Sequence, residues 1–407
     1  MRTLSRKASF WVATSVAGVG LWTSSAPSLT YPLYAAEWGL DKTITTAIFA
    51  VFPVALVLVL VVFGNLADFI GPRASILCGL AASCIGTVGF AVAPDVAWVF
   101  VGRALMGVGV GLSMGPATAA MVELSAPGQS QRASSINTAA TSVGVVLAAL
   151  VGGALIQYAP FPTRLNFWVL GAVLAALGIA AWFLPRTTAG GQRGRWKPRP
   201  PQIPRGARWV FVVSLFAVSG GYAIGALTFS LGAQIAKELI GSDNALISGA
   251  SIAVFAITIG VVALIWRGLP VRRMIILGGV AAILGLALLL YSAVAQSIGG
   301  FFLASVFLGA GYSFLFLGGL SLLTERTPAN RLAATLSAMY LVAYLAQGVT
   351  ALGLGAIATA SGLSFAIEIG APVLAIVAVT ALVLASTVRA RRVGSPERAD
   401  AIGRVVG

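Results

Sequence analysis

Between two long apolar runs the chain reads Gly64-Asn-Leu-Ala-Asp68-Phe-Ile-Gly71-Pro-Arg73. A carboxylate, an arginine and two glycines here make a tight polar turn, and charge this close to hydrocarbon must be paired or reach water. The flanking runs, Thr43 to Phe63 and Ala74 to Ala93, each have about 20 residues. That is the length a helix rising 1.5 Å per residue needs to cross about 30 Å of hydrocarbon. The turn therefore reads as the loop of a membrane hairpin.

The same pattern extends along the chain. Of 407 residues 58% are hydrophobic and only 9% charged, and the mean hydropathy is +0.97, which excludes a soluble domain. The expected fold class is an all-α polytopic membrane protein with twelve transmembrane helices in two pseudo-symmetric six-helix bundles. The spans run approximately Phe10 to Tyr34, Thr43 to Phe63, Ala74 to Ala93, Val96 to Met121, Ala133 to Ile156, Asn166 to Leu184, Trp209 to Ile235, Ala245 to Trp266, Met274 to Ala295, Gly299 to Leu323, Leu332 to Thr359, and Phe365 to Val388. Arg2, Arg6 and Lys7 precede a run longer than the apolar region of a signal peptide, so the first span is expected to stay uncleaved.

Alternating the loops puts the N-terminus, Arg73, Arg132, the stretch from Arg186 to Arg208, Arg267, Arg272, Arg273, Arg326, Arg331 and the tail on one side. The other side holds only Lys42, Arg164 and Lys237. By the positive-inside rule both termini are expected in the cytoplasm of a plasma or bacterial inner membrane. The net charge of +15 thus reads as topology and not as a nucleic-acid interface. Residues 1–185 are expected to form one six-helix bundle and 209–388 the other. A basic, Gly/Pro-rich linker (186–208) joins them, and 389–407 form a cytoplasmic tail. The halves echo each other near an offset of 200 residues: Gly71-Pro-Arg73 faces Val271-Arg-Arg273, and Gly107-Val-Gly109 matches Gly309-Ala-Gly311. Such a duplication places a transport site between the halves.

The opening stretch resembles the loop between helices 2 and 3 of the major facilitator superfamily, whose pattern is Gly-x-Leu-Ala-Asp-Arg-x-Gly-Arg-Arg. Gly64, Leu66, Ala67, Asp68, Gly71 and Arg73 match, whereas Phe69 and Pro72 replace basic positions. The resemblance implies a twelve-helix secondary transporter with a cytoplasmic charge gate formed by Gly64, Asp68, Gly71, Arg73, Glu123 and Arg132. Without a gate, the same residues would only end and orient helices. Arg103, within Arg103-Ala-Leu-Met-Gly107-Val-Gly109, is similar to the family's helix 4 pattern, in which the arginine is associated with substrate or proton coupling. Its structural alternative is to bond backbone carbonyls of the first helix. The run Gly144 to Gly153 is similar to the family's antiporter motif, with Ala148 and Ala149 where Gly and Pro are expected.

Trp22, Ser25, Tyr31, Asn137, Thr141, Tyr222, Tyr340, Tyr344 and Gln347 are the candidate cavity wall, the last three sharing one helical face. Aromatic and apolar groups with few polar anchors suit an amphipathic organic solute. Glu368 is a candidate proton site or a carboxylate reaching interfacial water. Glu37, Asp41, Lys237, Glu238 and Asp243 read as outer-loop residues, Asp41 as a helix cap. The chain lacks His, and Cys78 and Cys84 share one run without a metal-site pattern. No phosphate-binding Gly-x-x-x-x-Gly-Lys-Ser/Thr loop is present. The expectation is a monomeric, cofactor-free, metal-free, non-enzymatic exporter that exchanges a small solute for protons across the lipid bilayer. Its rivals are an organic-anion importer or facilitator, and a transporter-like sensor or assembly partner without flux.

Overall fold

A computed structural model describes residues 3–125, 130–185, 208–266 and 268–387, which are almost entirely helical. The expected linker (apart from Arg208) and the tail lie outside the described residues. The elements are α1 (Arg6–Ser25), a 3-10 turn (Ala26–Leu29), α2 (Tyr31–Trp38), α3 (Lys42–Phe63), α4 (Ala67–Ile70), α5 (Pro72–Ala91), α6 (Val96–Leu124) and α7 (Ser130–Tyr158). They continue with α8 (Leu165–Trp182), α9 (Arg208–Glu238), α10 (Ala245–Ile265), α11 (Val271–Ala295), α12 (Ile298–Arg326), α13 (Ala329–Ser361) and α14 (Leu363–Thr387). Eleven of the described helices are long and apolar enough to cross a membrane. The α1–α2 pair accounts for the twelfth expected span.

That first span is not the continuous helix the sequence suggested. Proline lacks an N–H and its ring collides with the carbonyl four residues back, so Pro27 and Pro32 interrupt the run. The chain answers with the 3-10 turn before α2 resumes. The boundary at Asp41 follows the expected capping chemistry, and Asp95, not read as a cap from the sequence, closes the start of α6 in the same way. Asp41 Oδ1 accepts from the Ile44 N–H at 2.8 Å, and Asp95 Oδ1 from the Ala97 N–H at 2.9 Å. At the other end, α9 runs on through Lys237 and Glu238, which are helical and not loop residues.

The Gly64–Arg73 turn contains one unexpected turn of helix, α4. Gly71 then takes φ 87°, ψ 149°, a conformation that only glycine adopts without strain, and Pro72 opens α5.

Packing follows the internal repeat. A Cβ on Gly107 would stand 2.6 Å from the Phe52 carbonyl oxygen, and one on Gly309 would stand 2.5 Å from that of Phe255. Each half thus brings α6 or α12 onto α3 or α10 at backbone contact, as expected where dispersion and not hydrophobicity joins helices in lipid. A buried cluster around Phe90, Phe167 and Met106 fills the first half, and another around Phe255, Leu308 and Leu315 fills the second. Leu29, Val145 and Ala149 of the first half pack with Ala233, Ile252 and Ala256 of the second.

Replacing Gly107 or Gly309 by Leu is expected to cost at least about 1–3 kcal/mol of stability through overpacking. Gly115→Ala, whose Cβ would meet nothing within 4 Å, is expected to be neutral or slightly stabilising. Thermal unfolding of the purified variants in detergent checks both.

Candidate functional site

The end of α1 at the 3-10 turn leaves backbone carbonyls inside the first half that need donors. Two side chains from other helices do so. Arg103 of α6 donates from Nη1 to the Ser24 carbonyl at 2.8 Å, and Asn166 of α8 donates from Nδ2 to the Ala26 carbonyl at 3.3 Å. Both residues are fully buried, at 0% exposure. The Arg103 guanidinium also lies 4.5 Å from the ring centroid of Phe52 and 5.9 Å from that of Phe49, within cation–π range. Arg103 Nε and Nη2, Trp22 Nε1 and the Tyr31 hydroxyl are buried without a protein partner. The helix-bonding alternative therefore accounts for one of the guanidinium's nitrogens and leaves two with unused donors.

Across the molecule, α9, α12 and α13 assemble an aromatic wall. The Tyr222 ring is centred 4.8 Å from Tyr344, 5.8 Å from Phe316 and 6.1 Å from Tyr312, and Tyr340 is 6.3 Å from Tyr344. Tyr344 also packs against the first-half cluster that contains Trp22 and Tyr31. Gln347, one turn further along α13, is half-buried. Sequence reading missed Tyr312 and Phe316, although Tyr312 directly follows the repeated Gly309-Ala-Gly311 and Phe316 lies one turn on. Ser25 is buried; Asn137 and Thr141 are half-buried. Asn137 Oδ1 accepts from Thr118 at 3.5 Å, and Thr141 donates to the Thr138 carbonyl of its own helix at 2.9 Å.

Polar contacts join the halves at the end away from the termini. Lys42 Nζ lies 3.1 Å from Glu238 Oε2, and the Thr43 hydroxyl and Thr359 hydroxyl are 2.9 Å apart. Gln234 Nε2 donates to Thr45 Oγ1 at 3.2 Å, and the Ala245 N–H donates to Gln157 Oε1 at 2.9 Å. Close approaches reinforce them: Gly153 meets the backbone of Ala245, and Gly355 meets the Thr46 side chain and the Lys42 carbonyl. None of this seal was read from the sequence, because its members come from five helices with no local pattern.

The residues grouped as a gate sit at the opposite, basic end. Gly64 ends α3 and Gly71 ends α4. Asp68 is exposed, and Arg73 places its guanidinium 5.5 Å from the Trp182 ring centroid. Among the described residues no ion pair joins Asp68 to Arg73. Glu123 is exposed on the last turn of α6 and Arg132 exposed on the first turn of α7. The end of α6 is held by Arg6, which donates to the Ser125 carbonyl at 2.6 Å and to the Leu124 carbonyl at 2.9 Å. Glu368 is exposed on α14, beside the exposed Phe365 and Ile369, and is remote in character from the aromatic wall.

Replacing Arg103 by Met removes the donor to Ser24 and is expected to destabilise the protein by about 1–3 kcal/mol, the usual cost of an orphaned buried carbonyl. Asn166→Leu is expected to act in the same direction at Ala26. Thermal unfolding of each variant is the measurement.

Residues 10–351 match the family model described as Major Facilitator Superfamily. Among curated proteins, the multidrug resistance protein MdtH of Yersinia pestis (strain Pestoides F) is 28% identical over 183 residues, which are 45% of this chain and 44% of that protein. The MdtH of Yersinia pseudotuberculosis serotype O:3 (strain YPIII) matches to the same extent. The aligned part is thus less than half of either relative. Among solved structures, a bacterial homolog to the human lysosomal transporter Spinster, inward-facing and unoccupied, superposes with a TM-score of 0.74 at 15% identity, over 94% of this chain and 97% of that one. A peptide transporter, POT, in complex with sulfate gives 0.74 at 17% identity, over 93% and 94%. The nucleoside transporter NupG gives 0.70 at 14%, over 94% and 99%. At these identities the structures share the fold alone.

Proposed function

The chain belongs to the major facilitator superfamily, and we propose that it exports an amphipathic organic solute by alternating access between its two halves. The observation that carries this reading is the pairing of a broken α1, held by buried Arg103, with the aromatic wall of Tyr222, Tyr312, Phe316 and Tyr344. Stacked rings offer apolar area with a few hydroxyls, and the guanidinium supplies a polar anchor. The partial likeness to a multidrug resistance protein supports the outward direction.

With the basic loops in the cytoplasm, the Lys42–Glu238 seal is the outer one, and it must separate for the cavity to face outside. The basic-end residues Asp68, Arg73, Glu123 and Arg132 then act in the opposite phase, closing the cytoplasmic mouth when the outer seal opens. Proton exchange needs a titratable group on the route. Among the described residues the carboxylates stand at helix ends, in loops or on the outward face of α14. Asp68 and Glu123 stand at the cytoplasmic mouth and Glu368 on α14, and these are the carboxylates a coupling step would draw on.

One observation favours a second reading, the movement of an organic anion: the unpartnered Nε and Nη2 of Arg103 are suited to a carboxylate.

Flux in proteoliposomes under an imposed pH gradient, with amphipathic cations and organic acids as solutes, tests these readings. Counterflow of protons and solute supports export; inward movement of organic acids alone supports the second reading, and no flux of any class would sink both. In the same assay Asp68→Asn is expected to lower the rate at least about tenfold, or about 1.4 kcal/mol, with normal insertion. Wild-type flux would remove Asp68 from the mechanism. Lys42→Glu is expected to slow flux, and the double variant Lys42→Glu with Glu238→Lys to restore it, since the reversed pair recovers the attraction.

A further inference from the structure

On the outer surface of the second half, α9, α13 and α14 enclose a cavity of about 480 Å³. Its walls include Phe216, Val342, Val349, Gly353, Ile369 and Val373. Ser219 and Thr350 are the only lining residues with polar side chains. This space is not the candidate transport route, because Tyr340 and Tyr344 occupy a different face of α13 and pack towards the aromatic wall. The groove's rim is exposed apolar surface: Phe216, Val342, Val349, Ile369 and Val373 are all exposed.

Depth and length decide what fills it. Lining residues 342 to 357 cover about 22 Å of α13 at 1.5 Å per residue. This exceeds the ~15 Å hydrocarbon half-thickness of one leaflet, so the groove runs along the membrane normal through hydrocarbon. The volume is roughly sixteen times the ~30 Å³ share of one water, and two hydroxyls cannot hold so large a water cluster. Left empty, the walls would forfeit their dispersion contacts on one side. The chain does not fill the space itself, since a Cβ on Gly353 would meet nothing within 4 Å.

We propose that this groove is a binding site for one acyl chain of a bilayer phospholipid, wedged between α13 and α14. The other face of α13 carries Gly355 and Thr359, which meet Thr46 and Thr43 in the seal between the halves. A chain seated behind α13 therefore supports the helix that closes the seal, as solid packing rather than as loose annular lipid.

The test uses full-length protein in vesicles of phosphatidylethanolamine and phosphatidylglycerol containing a phosphatidylglycerol with a mid-chain diazirine. After photolysis, adducts are mapped by peptide mass spectrometry. The expected result is labelling concentrated on Val342, Val349, Ile369 and Val373, several-fold above exposed apolar residues elsewhere such as Leu58, Ile85 and Ile179. Gly353→Leu, which fills the groove, is expected to reduce that labelling several-fold while leaving labelling at Ile85 unchanged. Should Gly353→Leu misfold, Val349→Phe narrows the same groove from its exposed rim and carries the same expectation. Even labelling over all exposed apolar positions, or labelling at the groove that survives filling, overturns the proposal.

Discussion

Hydrocarbon offers no hydrogen bonds, so every interruption of a membrane helix must be satisfied by the protein itself. Here the interruption is at Ala26–Leu29, and the answer is the bond from Arg103 to the Ser24 carbonyl with its companion from Asn166 to Ala26. These two bonds tie α6 and α8 to the bend in α1 and fix where Trp22, Ser25 and Tyr31 stand. The guanidinium is kept in place by the rings of Phe52 and Phe49 on α3. One buried cation thus locks three helices and still keeps donors in reserve. The structural role of such a group is compatible with the anchoring role proposed for it, because the bond that holds it also fixes where its remaining donors stand.

The fold was legible because hydropathy and loop charge are local signals. Runs near 20 residues marked the spans, the offset repeat marked the duplication, and Gly64–Arg73 marked the family. The capping role of Asp41 was also visible, since a cap depends only on the next two or three residues. The break in α1 was present in the sequence as Pro27 and Pro32, but the apolar run through Tyr34 concealed it. The seal at Lys42 and Glu238 was illegible for a different reason. Its partners are 196 positions apart and meet only when the two halves dock. The aromatic wall was half legible: the spacing of Tyr340 and Tyr344 showed on one helix, whereas their neighbours Tyr312 and Phe316 belong to another.

The composition of the seal sets a limit on how firmly the protein can hold one shape. Its charged pair is partly exposed, with 26% and 43% of the two side chains accessible, and pairs of that kind contribute about 0–1 kcal/mol. The rest is hydroxyls, amides and backbone contact at glycine. Closure of this kind holds the halves by many weak contacts and not by one strong latch. Under the alternating-access proposal a solute would shift the balance only by its difference in affinity for the two arrangements, and about 5.5 kcal/mol of it would carry the balance from one extreme to the other. Loose closure thus sets a low threshold for parting the halves: the contacts that must be given up are individually small and can be released one after another.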